Sequence, residues 1–230
     1  MVKFDTGTYM HKISFDWKAV DSVFKNDILN DVGLLEFWRN YFASREEALE
    51  FVKTCLKKLS TRRMMLRVKS YVDISDNMPL VKKGRPALQV IFLMALAEGV
   101  ATLKMTKFES IKLGSLGTIR SFFRCLLAED KIRLEARFKR ALTTFRYHKL
   151  GINSIVGIFY QARNDAVHGY GYWEFFLEYN SNRDADLLVM GYVGTRRRRR
   201  RVPLVVKMTY EELRDIFVRT AIENIRLKFN

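Results

Sequence analysis

With 230 residues, of which 48% are hydrophobic and 13% aromatic, the chain is long and apolar enough to bury a core, which excludes an intrinsically disordered protein. A formal net charge of +16 does not suit an enzyme of small neutral metabolites; it points to a polyanionic partner, nucleic acid first, with an anionic membrane surface or simple solubility as the other readings. Two cysteines, Cys55 and Cys125, give no disulfide framework, and His11, His148 and His168 show no ligand spacing with them, so neither a metal nor a cofactor is expected.

The first residues, Met1 to Gly7, lack the apolar core of a signal peptide, and no apolar stretch is free enough of polar residues to read as a membrane span. The expectation is a soluble cytoplasmic protein with no membrane partner. Apolar residues at helical spacing predict a helix with Val20, Val23, Phe24 and Ile28 on one stripe, and another with Leu34, Leu35, Trp38 and Phe42. Ser44 followed by Glu47 is a capping-box pattern, and the helix behind it runs through Ala48, Leu49, Val52, Leu56 and Leu59 into a basic stretch at 57–69. Between Asp73 and Pro86 the apolar period fails. Asp76-Asn77-Met78-Pro79 and Lys83-Gly84-Arg85-Pro86 read as turn or linker chemistry, which places a boundary between a helical region at 1–85 and a domain at 86–230.

Residues 87–103 predict a long helix buried nearly all round, with Pro86 in its first turn and Glu98 as its single acid. Gly114-Ser115-Leu116-Gly117 interrupts the pattern before a helix carrying Ile119, Phe122 and Phe123, and a further helix is expected over about 130–147. Gly151 to Ser154 introduce the next helix, which ends after His168 at Gly169-Tyr170-Gly171. Two short strands, 187–192 and 202–206, predict a β-hairpin spanning about 187–206, with six consecutive arginines at or beside its connection. Thr209 and Glu212 form a second capping box, opening a last amphipathic helix over about 210–228. The fold class is mainly α.

Arg163 is out of place on its helix. Ile155, Phe159, Ala162 and Ala166 line one side, with Arg163 projecting from it, while Gln161, Asn164, Asp165 and His168 fall on the other. A guanidinium on an apolar face is ordinarily explained by a buried ion pair or by a stem that reaches out to water. The run Arg163-Asn164-Asp165-Ala166-Val167-His168, late in a helix and followed by glycine, also resembles the Arg, polar residue, variable positions, His motif of HEPN ribonucleases. The resemblance covers roughly 86–230 and leaves 1–85 outside it. It implies a HEPN-like helical bundle into which the β-hairpin is inserted.

The resemblance further implies a metal-independent endoribonuclease, a toxin or antiviral effector, in which the substrate's 2′-hydroxyl attacks the adjacent phosphate and leaves a cyclic phosphate. His168 suits proton transfer, since an imidazole with a pKa of about 6.5 is available in both forms near neutrality. Arg163 suits stabilisation of the charge on the phosphorane, and Asn164, four residues before His168, suits orienting the imidazole or a phosphate oxygen. Asp165 and Glu98 are supporting candidates, Glu98 either as an exposed carboxylate or as the partner of Arg163 across a helix pair. Positions five apart on a helix are separated by roughly 140°. The family resolves this with a homodimer whose motifs share one cleft, and an antitoxin or regulatory protein is a further partner the resemblance implies. Arg196, Arg197, Arg198, Arg199, Arg200 and Arg201 read as a solvated loop or as an RNA phosphate-binding arm. The rival readings are a HEPN-like module that binds RNA or protein without cutting, and a structural subunit of a nucleoprotein assembly.

Overall fold

The computed structural model describes residues 17–81, 86–143, 146–168, 188–193 and 200–229. It is mainly helical. In chain order the described elements are α1 (Trp17–Asn30), α2 (Val32–Arg39), α3 (Arg45–Lys57), α4 (Leu59–Val81), α5 (Pro86–Lys104), α6 (Lys107–Phe123), α7 (Ala128–Arg137), β1 (Phe138–Thr143), β2 (Arg146–Lys149), α8 (Ile152–His168), β3 (Leu188–Val193), β4 (Arg200–Val206) and α9 (Tyr210–Arg226). No helix among the described residues is long and apolar enough to cross a membrane.

The N-terminal helices follow their caps. Asp31 accepts from the Leu34 amide at 2.9 Å to start α2, and Ser44 accepts from the Glu47 amide at 3.2 Å to start α3. The stripe expected on α1 is mostly open: Ile28 is buried, but Val23 and Phe24 are exposed, with the Arg62 guanidinium over the Phe24 ring. The helix expected to continue from Ser44 into the basic stretch breaks instead at Lys58, whose backbone is extended. The Thr61 hydroxyl lies 2.7 Å from the Cys55 carbonyl, an oxygen the break leaves open, and 2.9 Å from that of Lys58, which also accepts from the Arg62 amide at 3.0 Å. The Lys58 ammonium donates to the carbonyls of Lys228 and Phe229, tying this corner to the end of α9.

Where turn chemistry was expected from Asp73, α4 continues to Val81. Pro79 sits in its last turn, where a missing amide costs the helix one bond, to the carbonyl of Ser75. That carbonyl is used from outside: Gln89 Nε2 donates to it at 3.3 Å, while the Ser75 hydroxyl donates to the Gln89 carbonyl at 2.9 Å. Tertiary partners on α5 thus keep the end of α4 helical against its composition. Residues 82–85 lie outside the described residues. Buried residues before and after them, from Trp38 and Val52 to Val100 and Phe217, belong to one continuous hydrophobic cluster.

The helix expected over about 130–147 stops at Arg137. Leu134 and Asp130 face inward on α7, and Phe138 then opens a strand, buried and edge-on to Phe159 at 5.2 Å between ring centroids. The sheet has the order β2-β1-β4-β3, with every neighbour antiparallel. Phe138 pairs with Val206 and Arg140 with Leu204, and β3 pairs with β4 from Leu188↔Val205 to Val193↔Arg200. Pro203, which has no amide to donate, falls just beyond the last residue that β1 pairs. Residues 194–199, including Arg196, Arg197, Arg198 and Arg199, lie outside the described residues, whereas Arg200 and Arg201 belong to β4 itself.

On α9, Thr209 and Glu212 form the expected capping box, and Ile216, Phe217, Ala221 and Ile225 are buried. Arg219 grips the buried Asp130 of α7 through two bonds of 2.7 and 2.8 Å. At the other end, the Tyr41 hydroxyl donates to Asp215 at 3.0 Å, the Tyr210 hydroxyl donates to Asp76 at 2.6 Å, and Arg214 bridges both carboxylates. Burial first, and then the neighbouring carboxylates, push both tyrosine hydroxyls well above their ordinary value of about 10. A phenol whose pKa is raised on folding contributes stability that is fully present below pH 10 and lost as pH rises, because the unfolded chain ionises first. Stability measured by urea denaturation should therefore fall above pH 10. Tyr210→Phe should make that fall shallower by about 1.4 kcal/mol per pH unit, and identical slopes for the two proteins would refute it.

Candidate active site

Helix α8 is positioned by its apolar face. Ile155, Val156, Ile158, Phe159 and Ala162 are buried, with Phe159 between Phe138 of the sheet and Phe217 of α9. Its start is held by Glu135, which accepts from the Ile152 amide at 3.3 Å. Arg163 therefore leaves the helix at the margin of the packed face, with 27% of its side chain exposed.

Its partner is the one acid of α5. Arg163 Nη2 lies 3.2 Å from Glu98 Oε2, so of the two readings weighed for Glu98 the pairing across helices is the one found. The other oxygen, Glu98 Oε1, accepts from the Ser115 hydroxyl at 2.5 Å. Ser115 is delivered by the break in α6: Gly114 has φ 63° and ψ 175°, a backbone that favours glycine, and the helix resumes behind it. Arg163 Nη1 also reaches Asn164 Oδ1 at 3.4 Å, and its guanidinium stands 5.9 Å from the centre of the Tyr160 ring. Ser115, Glu98, Arg163 and Asn164 thus form one chain of polar contacts across α6, α5 and α8.

His168 is the last residue of α8, and for it and Asp165 the description extends to the backbone alone. The helix carries both Arg163 and His168, so the separation of roughly 140° expected of positions five apart applies to their backbones. The structure brings Glu98, Arg163 and Asn164 together, while Arg200 and Arg201 stand on β4. Ser115 was missed by the sequence reading as a member of the site. Its signal was the glycine before it, read only as an interruption. No three of the His, Cys, Asp and Glu side chains among the described residues gather as metal ligands would. Comparison with known proteins returns no matching family model, curated protein or solved structure.

The chemistry available here is that of an anchored cation. A carboxylate satisfied on both oxygens fixes the guanidinium in place, and charge-assisted bonds of this kind are worth about 1.5–3 kcal/mol when half shielded from water. Glu98→Ala should destabilise the fold by roughly that amount, and Arg163→Ala by a similar one. The double variant should lose about 1 kcal/mol less than the sum of the singles. Strict additivity in urea denaturation would mean that the pair does not couple α5 to α8.

Proposed function

We propose that the chain is a metal-independent endoribonuclease of the HEPN type, with a β-hairpin inserted into its helical bundle before α9. The observation that carries the reading is Arg163: a partly buried guanidinium, anchored by Glu98 and adjoining Asn164, on the helix that ends at His168. In this reading RNA is the substrate. His168 takes the proton from the 2′-hydroxyl or gives one to the leaving 5′-oxygen, and Arg163 holds the charge that builds on the phosphate. Glu98 and Ser115 are positioning residues that keep Arg163 in place, and Asn164 orients the imidazole or the phosphate. Asp165 stays a supporting candidate on the same turn.

The separation of Arg163 from His168 around one helix motivates a homodimer in which two copies of α8 complete one cleft. A toxin or antiviral effector held in check by an antitoxin or regulatory protein is the biological role such an activity would serve, and the cytoplasm is where its RNA would be met. The arginines from Arg196 to Arg201 would add phosphate contacts. A second reading, a module that binds RNA without cutting it, is favoured by one observation: the charge of Arg163 is already answered by Glu98.

The two separate cleanly in a cleavage assay with mixed RNA and excess EDTA. The nuclease should cut, its products should end in 2′,3′-cyclic phosphate, and His168→Ala should slow cleavage by about 10²- to 10⁴-fold while leaving RNA binding largely intact. Binding without cleavage would favour the non-cutting module, and cleavage that vanishes with EDTA and returns with Mg²⁺ would defeat the mechanism.

A further inference from the structure

Helix α5 is packed on most of its circumference, with Leu93, Met94, Val100 and Ala101 fully buried. One strip stays open: Ile91 and Ala95 are half-buried and Thr102 is exposed, and at 100° per residue these three fall within about 40° of one another. Glu98 flanks the strip on one side and Gly99 on the other. Arg163 comes in from α8 to Glu98. From the opposite side Arg67, exposed on α4, lies across Gly99, and its Nη1 donates to the Gly99 carbonyl at 3.3 Å. A Cβ added to Gly99 would stand 2.7 Å from Arg67 Cδ, so the absence of a side chain there is what seats this arginine against α5.

The cations on this wall of α4 differ from their neighbours. Arg62 is paired with Asp21 and Lys69 with Asp73. Arg67 and the exposed Arg63, one turn before it, have no carboxylate partner among the described residues. The result is a shallow groove floored by the small residues Ala95, Gly99 and Thr102; the α4 wall carries guanidinium charge that has no carboxylate partner among the described residues, and the other wall carries the anchored Arg163.

We infer that this groove is the track for a single-stranded RNA backbone, in which Arg63 and Arg67 hold phosphates next to the one presented to Arg163. The inference rests on the proposed cleavage site being on α8, and it gives α4, which precedes the part of the chain that resembles a nuclease, a share in substrate binding. Charge complementarity selects a polyanion, and the planar, permanently charged guanidinium selects phosphate. A floor no wider than one helix, whose full diameter is about 10–12 Å, suits one strand rather than a duplex. Cleavage by 2′-hydroxyl attack also needs a strand free to adopt its reactive geometry.

The test uses the full chain and a fluorescent 2′-O-methyl oligonucleotide, which keeps the phosphates but offers no 2′-hydroxyl to attack, titrated across a salt series. Replacing both Arg63 and Arg67 by Ala should weaken binding and flatten the slope of log affinity against log salt by about 1.4, at about 0.7 per lost phosphate contact on a single strand. Lys53→Ala with Lys57→Ala, an equal loss of charge on the exposed side of α3, should leave the slope nearly unchanged. Gly99→Ala keeps the net charge, favours helix and unseats Arg67, so it should weaken binding even if the arginine variants melt early. Equal slopes for the two double variants would overturn the groove. Unmodified RNA separates the two readings: wild-type cleavage kinetics in the arginine variant defeats the groove and leaves the nuclease standing, whereas groove-dependent binding with no cleavage by the wild-type chain defeats the nuclease and leaves the groove.

Discussion

A carboxylate on a helix that is buried on most sides has to be answered, and Glu98 is the only acid on α5. That constraint organises the region around it. It draws Arg163 off the apolar margin of α8, and it gives the break in α6 a purpose, because the chain turns at Gly114 and presents the Ser115 hydroxyl to the second oxygen. Three helices are thereby set in register by polar contacts, in addition to the apolar packing that would hold them together without specifying rotation. The guanidinium that emerges is held at the edge of solvent with its orientation fixed, which is the state a phosphate-binding cation requires before substrate arrives.

The other polar contacts serve a different end. Arg219 and Asp130 clamp α9 to α7, and the chain from Tyr41 through Asp215, Arg214 and Asp76 to Tyr210 joins the turn after α2, the end of α4 and the start of α9. With the Ser75 and Gln89 exchange, these contacts make α4 a packed neighbour of both α5 and α9 rather than an appendage of the first three helices. The exposed wall that α4 offers beside α5 is therefore held by contacts to both α5 and α9.

Much of this was legible in local signals. The capping pairs at Ser44 and Thr209 start helices where their chemistry says they should, the mostly apolar run after Pro86 gives the central helix, and the glycine at 114 marks a real break. What escaped was decided at a distance. Asp76-Asn77-Met78-Pro79 has the composition of a turn, and only Gln89 on the facing helix takes up the carbonyl that Pro79 leaves free. Phe138 to Lys149 carries no turn signal strong enough to end a helix; it becomes two strands because Val206 and Leu204 of a segment far along the chain offer a paired edge. At the site, Glu98 and Arg163 could be proposed as partners because Glu98 is the single acid of a mostly apolar helix and Arg163 a charge projecting from an apolar face. Ser115, Arg67 and Gly99 could not be, since nothing in their local pattern says which helices become neighbours.

The functional account reduces to a claim about one nucleophile, the ribose 2′-hydroxyl, acting beside Arg163 and His168 without help from a metal. An RNA strand with a single 2′-deoxy substitution at a mapped cut site tests it most directly, because the substitution removes the nucleophile and leaves every phosphate contact in place. The account predicts that the chain binds this strand as well as the unmodified one and leaves that bond intact while other sites are still cut. Cleavage at the deoxy position at the unmodified rate would contradict it, since a water or a protein group would then be the attacking species.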